Sequence, residues 1–132
     1  FNTCAATPLQ AAVGMAVLDE IERLDLLSNA ANVGARLLSG LRERVDRYDA
    51  VGDARGLGLF LSVEMVRDPF SKEPDRNLAL YLSDRLKDQG FLVSYTGKYE
   101  NVLKIRPPLV FSQANADDFT AAFDECMQEI HA

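Results

Sequence analysis

Near Tyr48 the apolar spacing of this chain changes period, and that change decides its fold class. Before it, Leu9, Val13, Val17, Ile21 and Leu24 recur about every fourth residue, as do Val33, Leu37, Leu41 and Val45, with Tyr48 closing the second set. Such spacing places each set on one face of a helix. After it, apolar residues alternate or cluster in short stretches between turn-forming Gly, Pro and Asp. Helices first, then strands mixed with helices, predict an α+β fold.

Local signals set the element boundaries. Thr7-Pro8-Leu9-Gln10 is a capping box with proline at the first helical position, so the first helix starts there. Ser28 is expected to open a second helix, antiparallel to the first across a short link. Val51-Gly52-Asp53-Ala54-Arg55-Gly56 reads as a turn-rich stretch, and Leu57 to Val66 as a strand. Pro69 and Pro74 make the next segment a loop, and Asp75 caps a helix with Leu78, Leu82 and Leu86 in phase. Gly90 sits where a helix ends in the left-handed region. Phe91 to Tyr95 and Asn101 to Arg106 are two short strands, and Pro107-Pro108 stops the second. Ser112 caps a last helix with Phe119, Phe123, Cys126 and Ile130 on one face. Its acidic residues, Asp117, Asp118, Asp124, Glu125 and Glu129, form a solvated surface. The expected order is α-α-β-α-β-β-α, a small, mainly antiparallel sheet of three to four strands covered by helices.

Composition excludes several classes of function. Twenty acidic against fourteen basic residues give a net charge of −6, with neither half net basic, which argues against phosphate-neutralising nucleic-acid binding. No apolar run has the length of a membrane span. Cys4 and Cys126 make no disulfide framework and suit a reducing, cytoplasmic setting. One histidine, His131, leaves no zinc cluster and no Ser-His or Cys-His pair clear of the chain end.

Three places carry possible chemistry. Gly56-Leu57-Gly58 lacks the third glycine of a dinucleotide fingerprint, where Leu61 stands, and leads into a strand rather than a helix. Close approach of two backbones accounts for it better. Thr3 precedes a capped helix N-terminus, where free N–H groups favour an anion, so it is either a phosphate ligand or an ordinary loop threonine. Lys104 and Arg106 alternate with Leu103 and Ile105, so both cations leave one strand face, opposite the apolar pair. They either hold a carboxylate or phosphate or stand in solvent. No nucleophile, general base or metal site emerges, and these residues alone name no reaction.

In order along the chain, Phe1-Asn2-Thr3-x-x-x-Thr7-Pro8, Val17-Leu18-Asp19, Arg55-Gly56-Leu57-Gly58-Leu59-Phe60 with Glu64, and Val102-Leu103-Lys104-Ile105-Arg106-Pro107-Pro108-Leu109 form an ordered set. The set resembles the C-terminal small domain of class III, fold type I pyridoxal-phosphate (PLP) aminotransferases over nearly all of residues 1–132. Asn101 to Pro108 followed by Phe111-Ser112 is most similar to the subgroup of alanine–glyoxylate aminotransferase 2 and the phospho-lyases acting on phosphoethanolamine or phosphohydroxylysine. The resemblance implies a homodimer in which Thr3 reaches the cofactor phosphate of the other subunit. It also implies an amino donor and a keto acid as substrates, with Lys104 where several relatives carry a carboxylate-binding arginine, and Arg106 as the next anion contact. Cys4-Ala5-Ala6 departs from the family's aromatic and Gly-Gly-Asn. The cofactor lysine and its acidic partner belong to a large domain that precedes this segment in the family, so no catalytic residue is expected within these 132 residues, and the piece alone is expected to be inactive. Transamination, phosphate elimination from a phosphorylated amine, and a non-catalytic binding or dimerisation module all remain open at this point.

Overall fold

A computed structural model describes residues 7–130. Thr3, Cys4 and His131 lie outside them. Helix α1 (Pro8–Arg23) begins as the capping box dictates: the Gln10 amide donates to Thr7 Oγ1 at 3.3 Å, and the Thr7 amide donates to Gln10 Oε1 at 2.8 Å. Helix α2 (Leu26–Arg47) follows after only Leu24 and Asp25, with Asp25 in the left-handed region at φ 48°. It therefore starts two residues ahead of Ser28.

The expected apolar face of α1 does not enter the core. No α1 residue is buried, and Leu9, Val13 and Val17 stay exposed. The reason is on the other side of the helix, where Ala11, Ala12, Met15 and Leu18 make it apolar nearly all round. A helix of that kind finds cover only inside a larger body.

The turn-rich stretch from Val51 to Gly56 forms a strand. Strand β1 (Val51–Leu57) pairs antiparallel with β2 (Phe60–Met65), and Leu57 faces Phe60 across a two-residue turn of Gly58 and Leu59. The described residues thus hold four strands in the order α-α-β-β-α-β-β-α. Helix α3 (Arg76–Asp88) is capped by Asp75, whose Oδ1 accepts from the Leu78 amide at 3.0 Å. It ends in a paired cap: Gly90 at φ 91° donates to the Lys87 carbonyl at 2.9 Å, and Phe91 donates to Leu86 at 2.8 Å. Strand β3 (Ser94–Thr96), shorter and later than expected, pairs with β4 (Val102–Ile105). Ser112 Oγ accepts from the Asn115 amide at 3.1 Å ahead of α4 (Gln113–Ile130).

The sheet runs β1-β2-β4-β3, antiparallel throughout. Leu61, Val63 and Met65 of β2 and Leu103 and Ile105 of β4 point to the side covered by α2 and α3, and α4 packs on both helices. Leu37, Leu41, Leu82, Leu86, Phe123 and Met127 complete this core. Each such side chain contributes about 1.5–3 kcal/mol relative to exposure. At the hairpin turn α2 comes so near that a methyl on Gly34 would meet the Gly58 carbonyl oxygen at 2.1 Å. The close-approach reading of the Gly-Leu-Gly motif therefore holds.

The acidic face of α4 is not simply solvated. Arg36 of α2 grips Asp117 through two bonds of 2.7 Å. Arg44, Arg47 and Tyr48 converge on Asp124, and Arg85 and Tyr81 of α3 bind Glu129. Three carboxylates of one helix thus tie it to both of its neighbours.

Candidate functional site

The other face of the sheet carries no helix among the described residues, and alternation loads it with polar side chains. Two rows cross it. In one, Arg55, Ser62, Lys104 and Ser94 stand side by side on β1, β2, β4 and β3. In the next, Asp53, Glu64, Val102 and Thr96 do the same. Arg106 follows two positions after Lys104, roughly 6.6 Å further along the strand direction. Proline at 107 holds Arg106 extended, and Pro107 and Pro108 supply no N–H that could prolong the ladder.

Lys104 and Arg106 share a concavity of about 210 Å³ whose other walls are Leu92, Val93 and Ser94. The Ser83 hydroxyl fixes that wall from α3 by donating to the Val93 carbonyl at 2.6 Å. Arg106 also borders an apolar hollow of about 250 Å³ beneath the sheet edge, lined by Phe91, Pro107, Pro108, Phe111 and Phe119. The Phe91 and Phe119 rings meet edge to face there, with centroids 5.3 Å apart.

What distinguishes the two cations is their lack of partners. Nine of the other basic side chains pair with carboxylates: Arg23, Arg36, Arg44, Arg47, Arg55, Arg67, Arg76, Arg85 and Lys87. Arg42 and Lys72 donate to backbone carbonyls, and Lys98 lies over the Tyr99 ring. Among the described residues only Lys104 and Arg106 have none of these partners, in a chain of net charge −6. Two unneutralised charges in one hollow, with a serine hydroxyl beside them, have the chemistry to receive an anion through charge-assisted hydrogen bonds. Arg55 differs from them: it donates to Asp53 at 2.5 Å and to Glu64 at 2.9 Å.

The structure thus brings Lys104 and Arg106 together and adds Ser94, which sequence reasoning missed. Its signal was available only through register, because Ser94 faces Lys104 across the β3–β4 ladder. Thr3 lies outside the described residues, so its contacts are not part of this geometry. Lys72, Lys87 and Lys98 are engaged on the surface, and no carboxylate pairs with Lys104. Among the described residues there is no metal-ligating cluster and no helix long and apolar enough to cross a membrane.

The class III aminotransferase family profile matches residues 2–127. An alanine–glyoxylate aminotransferase 2-like protein of Drosophila melanogaster is 35% identical over 98% of this chain and 26% of its own length. Alanine–glyoxylate aminotransferase 2 homolog 2, mitochondrial, of Arabidopsis thaliana is 37% identical over 98% of this chain and 27% of its own length. Among solved structures, a phospholyase from Arthrobacter in complex with phosphoethanolamine superposes with a TM-score of 0.91 at 34% identity, over 97% of this chain and 30% of that one. The chain therefore spans about a quarter of the length of the curated relatives it matches.

Proposed function

This chain belongs to the class III aminotransferase family, and we propose that it is the C-terminal small domain of a PLP-dependent aminotransferase that moves an amino group from an amino donor to a keto acid. The observation that carries this reading is the free face of the sheet, where Lys104 and Arg106 stand unpartnered in one hollow. Amino acids and keto acids share an anionic end, and these two cations bind it. Ser94 adds a hydroxyl donor, and the β4 ladder fixes the direction from which the anion is held. The remainder of the enzyme supplies the cofactor lysine and the reacting centre. PLP, when bound, serves as the electron sink of the reaction.

Binding the anion on the small domain has a mechanical consequence. A substrate held at one end by this sheet and at its amino end by the rest of the enzyme bridges two bodies, so occupancy favours closure and excludes water from the reacting centre. In this reading the whole enzyme is a cytoplasmic homodimer, with Thr3 reaching the cofactor phosphate of the other subunit.

The test uses the full-length protein, with alanine as amino donor and glyoxylate as acceptor. Arg106→Ala is expected to raise KM for the acceptor about 10-fold or more, the effect of losing a charged hydrogen bond. An unchanged KM returns Arg106 to the solvent. A second reading, phosphate elimination from a phosphorylated amine, draws support from the likeness to the Arthrobacter phospholyase. Phosphate release from phosphoethanolamine without amino transfer to glyoxylate would select it over transamination.

A further inference from the structure

We propose that Arg55 is a positioning residue for the anion subsite: with Asp53, it holds the Glu64 carboxylate away from Lys104 and so keeps the Lys104 charge available to substrate. The inference rests on the reading of Lys104 as a substrate contact.

The register supplies the argument. Strand β2 lies between β1 and β4, and Ser62 faces Arg55 on one side and Lys104 on the other. Glu64, two residues on, faces Asp53 and Val102. Glu64 is therefore diagonal to both cations by the same offset on the same face of the sheet. Diagonal neighbours in a sheet lie about 7–8 Å apart, within reach of long side chains. The Arg55 diagonal is bridged, with Nη1 2.9 Å from Glu64 Oε2, whereas Lys104 makes no ion pair among the described residues. The same carboxylate could satisfy either cation.

The choice goes to Arg55 for a chemical reason. The terminal nitrogen Nη1 of a guanidinium carries two N–H groups and can hold two carboxylates at once. Arg55 does so, bonding Asp53 at 2.5 Å as well as Glu64. Without the guanidinium, Asp53 and Glu64 would be adjacent like charges, directly opposite in the ladder. Repulsion would then drive Glu64 toward the free cation on its other diagonal, Lys104, and neutralise half of the anion subsite.

The experiment measures binding of inorganic phosphate to the full-length holoenzyme by calorimetry, alongside KM and kcat for glyoxylate. Lys104→Gln is expected to weaken phosphate about 10-fold. Arg55→Gln, which removes no atom of the subsite, is expected to weaken it about fivefold and to raise KM with kcat nearly unchanged, the size of an ion pair at a partly exposed site. Arg55→Gln/Glu64→Gln is expected to return to within about twofold of the parent, because the competing carboxylate is gone. A double variant as weak as Arg55→Gln, or an Arg55→Gln that binds phosphate like the parent, overturns the proposal. An unchanged Lys104→Gln overturns the subsite reading itself, whereas a weakened Lys104→Gln beside an unaffected Arg55→Gln overturns only the role of Arg55. If Arg55→Gln does not fold, Arg55→Met, which keeps the aliphatic stem without charge or donors, is read in the same way with the same rescue by Glu64→Gln.

Discussion

Replacing Gly34 with alanine tests the closest contact in the fold. A Cβ there would lie 2.1 Å from the Gly58 carbonyl oxygen and 2.3 Å from its carbon. Ordinary contact begins at 3.4 Å, so α2 and the hairpin must separate by about 1.3 Å. Both partners are backbone, and no rotamer can relieve the overlap. Val33 and Leu37, each nearly inaccessible, would be pulled from the sheet with the helix. Alanine gains about 1 kcal/mol over glycine as a helix former. Overpacking costs about 1–3 kcal/mol and more where backbone must move. The clash wins, and Gly34→Ala is expected to destabilise by about 2 kcal/mol, a fall in Tm of about 8 °C for a domain of this size. Two other helical glycines calibrate the measurement. Gly14 has nothing within 4 Å, so Gly14→Ala should raise Tm by a few degrees. At Gly40 the obstacle is the Thr120 methyl at 2.9 Å, a side chain that can yield, so Gly40→Ala should come out near neutral. Thermal melts of the three variants, followed by circular dichroism, give the order Gly14 above Gly40 above Gly34. A Gly34→Ala protein that melts at or above the parent would refute the close approach of α2 to the hairpin.

Asp124→Asn should lower stability by about 2 kcal/mol in urea unfolding, because its largely buried carboxylate collects Arg44, Arg47 and Tyr48. Asp117→Asn, at the half-exposed pair with Arg36, should cost less. Cys126 is fully buried and burial pushes its thiol up, so in a Cys4→Ser background a thiol-specific reagent should modify it slowly until urea unfolds the chain. Rapid labelling of the folded protein would contradict its place in the core. Hydrogen bonds from Arg85 hold the Glu129 carboxyl below its ordinary 4.5, and those from Arg36 hold Asp117 below 3.8. Both bind protons more weakly folded than unfolded, so their stabilisation is complete above about pH 4.5 and is lost as pH falls through the folded values. Arg85→Gln should shallow that acid limb in a pH series of melts.

Helix termini with a complete local signal were legible, as at Thr7 with Gln10, Asp75 with Leu78 and Gly90 after α3, whereas α2 starts at an Asp25 whose side chain makes no cap bond and so ahead of the expected Ser28. Strand β1 was not legible, because Gly52, Asp53, Arg55 and Gly56 carry no strand propensity of their own. Its identity comes from the partner strand, with Ala54 facing Val63 inward and Arg55 bonding Glu64 outward. The arginines that bind α4 lie far away in sequence, Arg36 and Asp117 being 81 residues apart, so the acidic face looked free. Alternation alone put Lys104 and Arg106 on one face. That they lack counter-charges among the described residues is a property of the assembled surface, since Glu64 could be assigned to Arg55 only once the register was known.

Strand β4 writes its interior and its helix-free face on alternate letters of one short word. Leu103 and Ile105 belong to the core, and Lys104 and Arg106 to the hollow. A one-residue insertion or deletion inside this strand would exchange the two sets, sending both cations inward and both aliphatic chains outward. Loop 97–100 can therefore change length, whereas the segment from Val102 to Arg106 can vary only by substitution. On the proposed anion-binding reading, specificity is open to point mutation and closed to indels, and a lineage that altered its preferred anion would carry the record as changed residues at 104 and 106 within a strand of constant length.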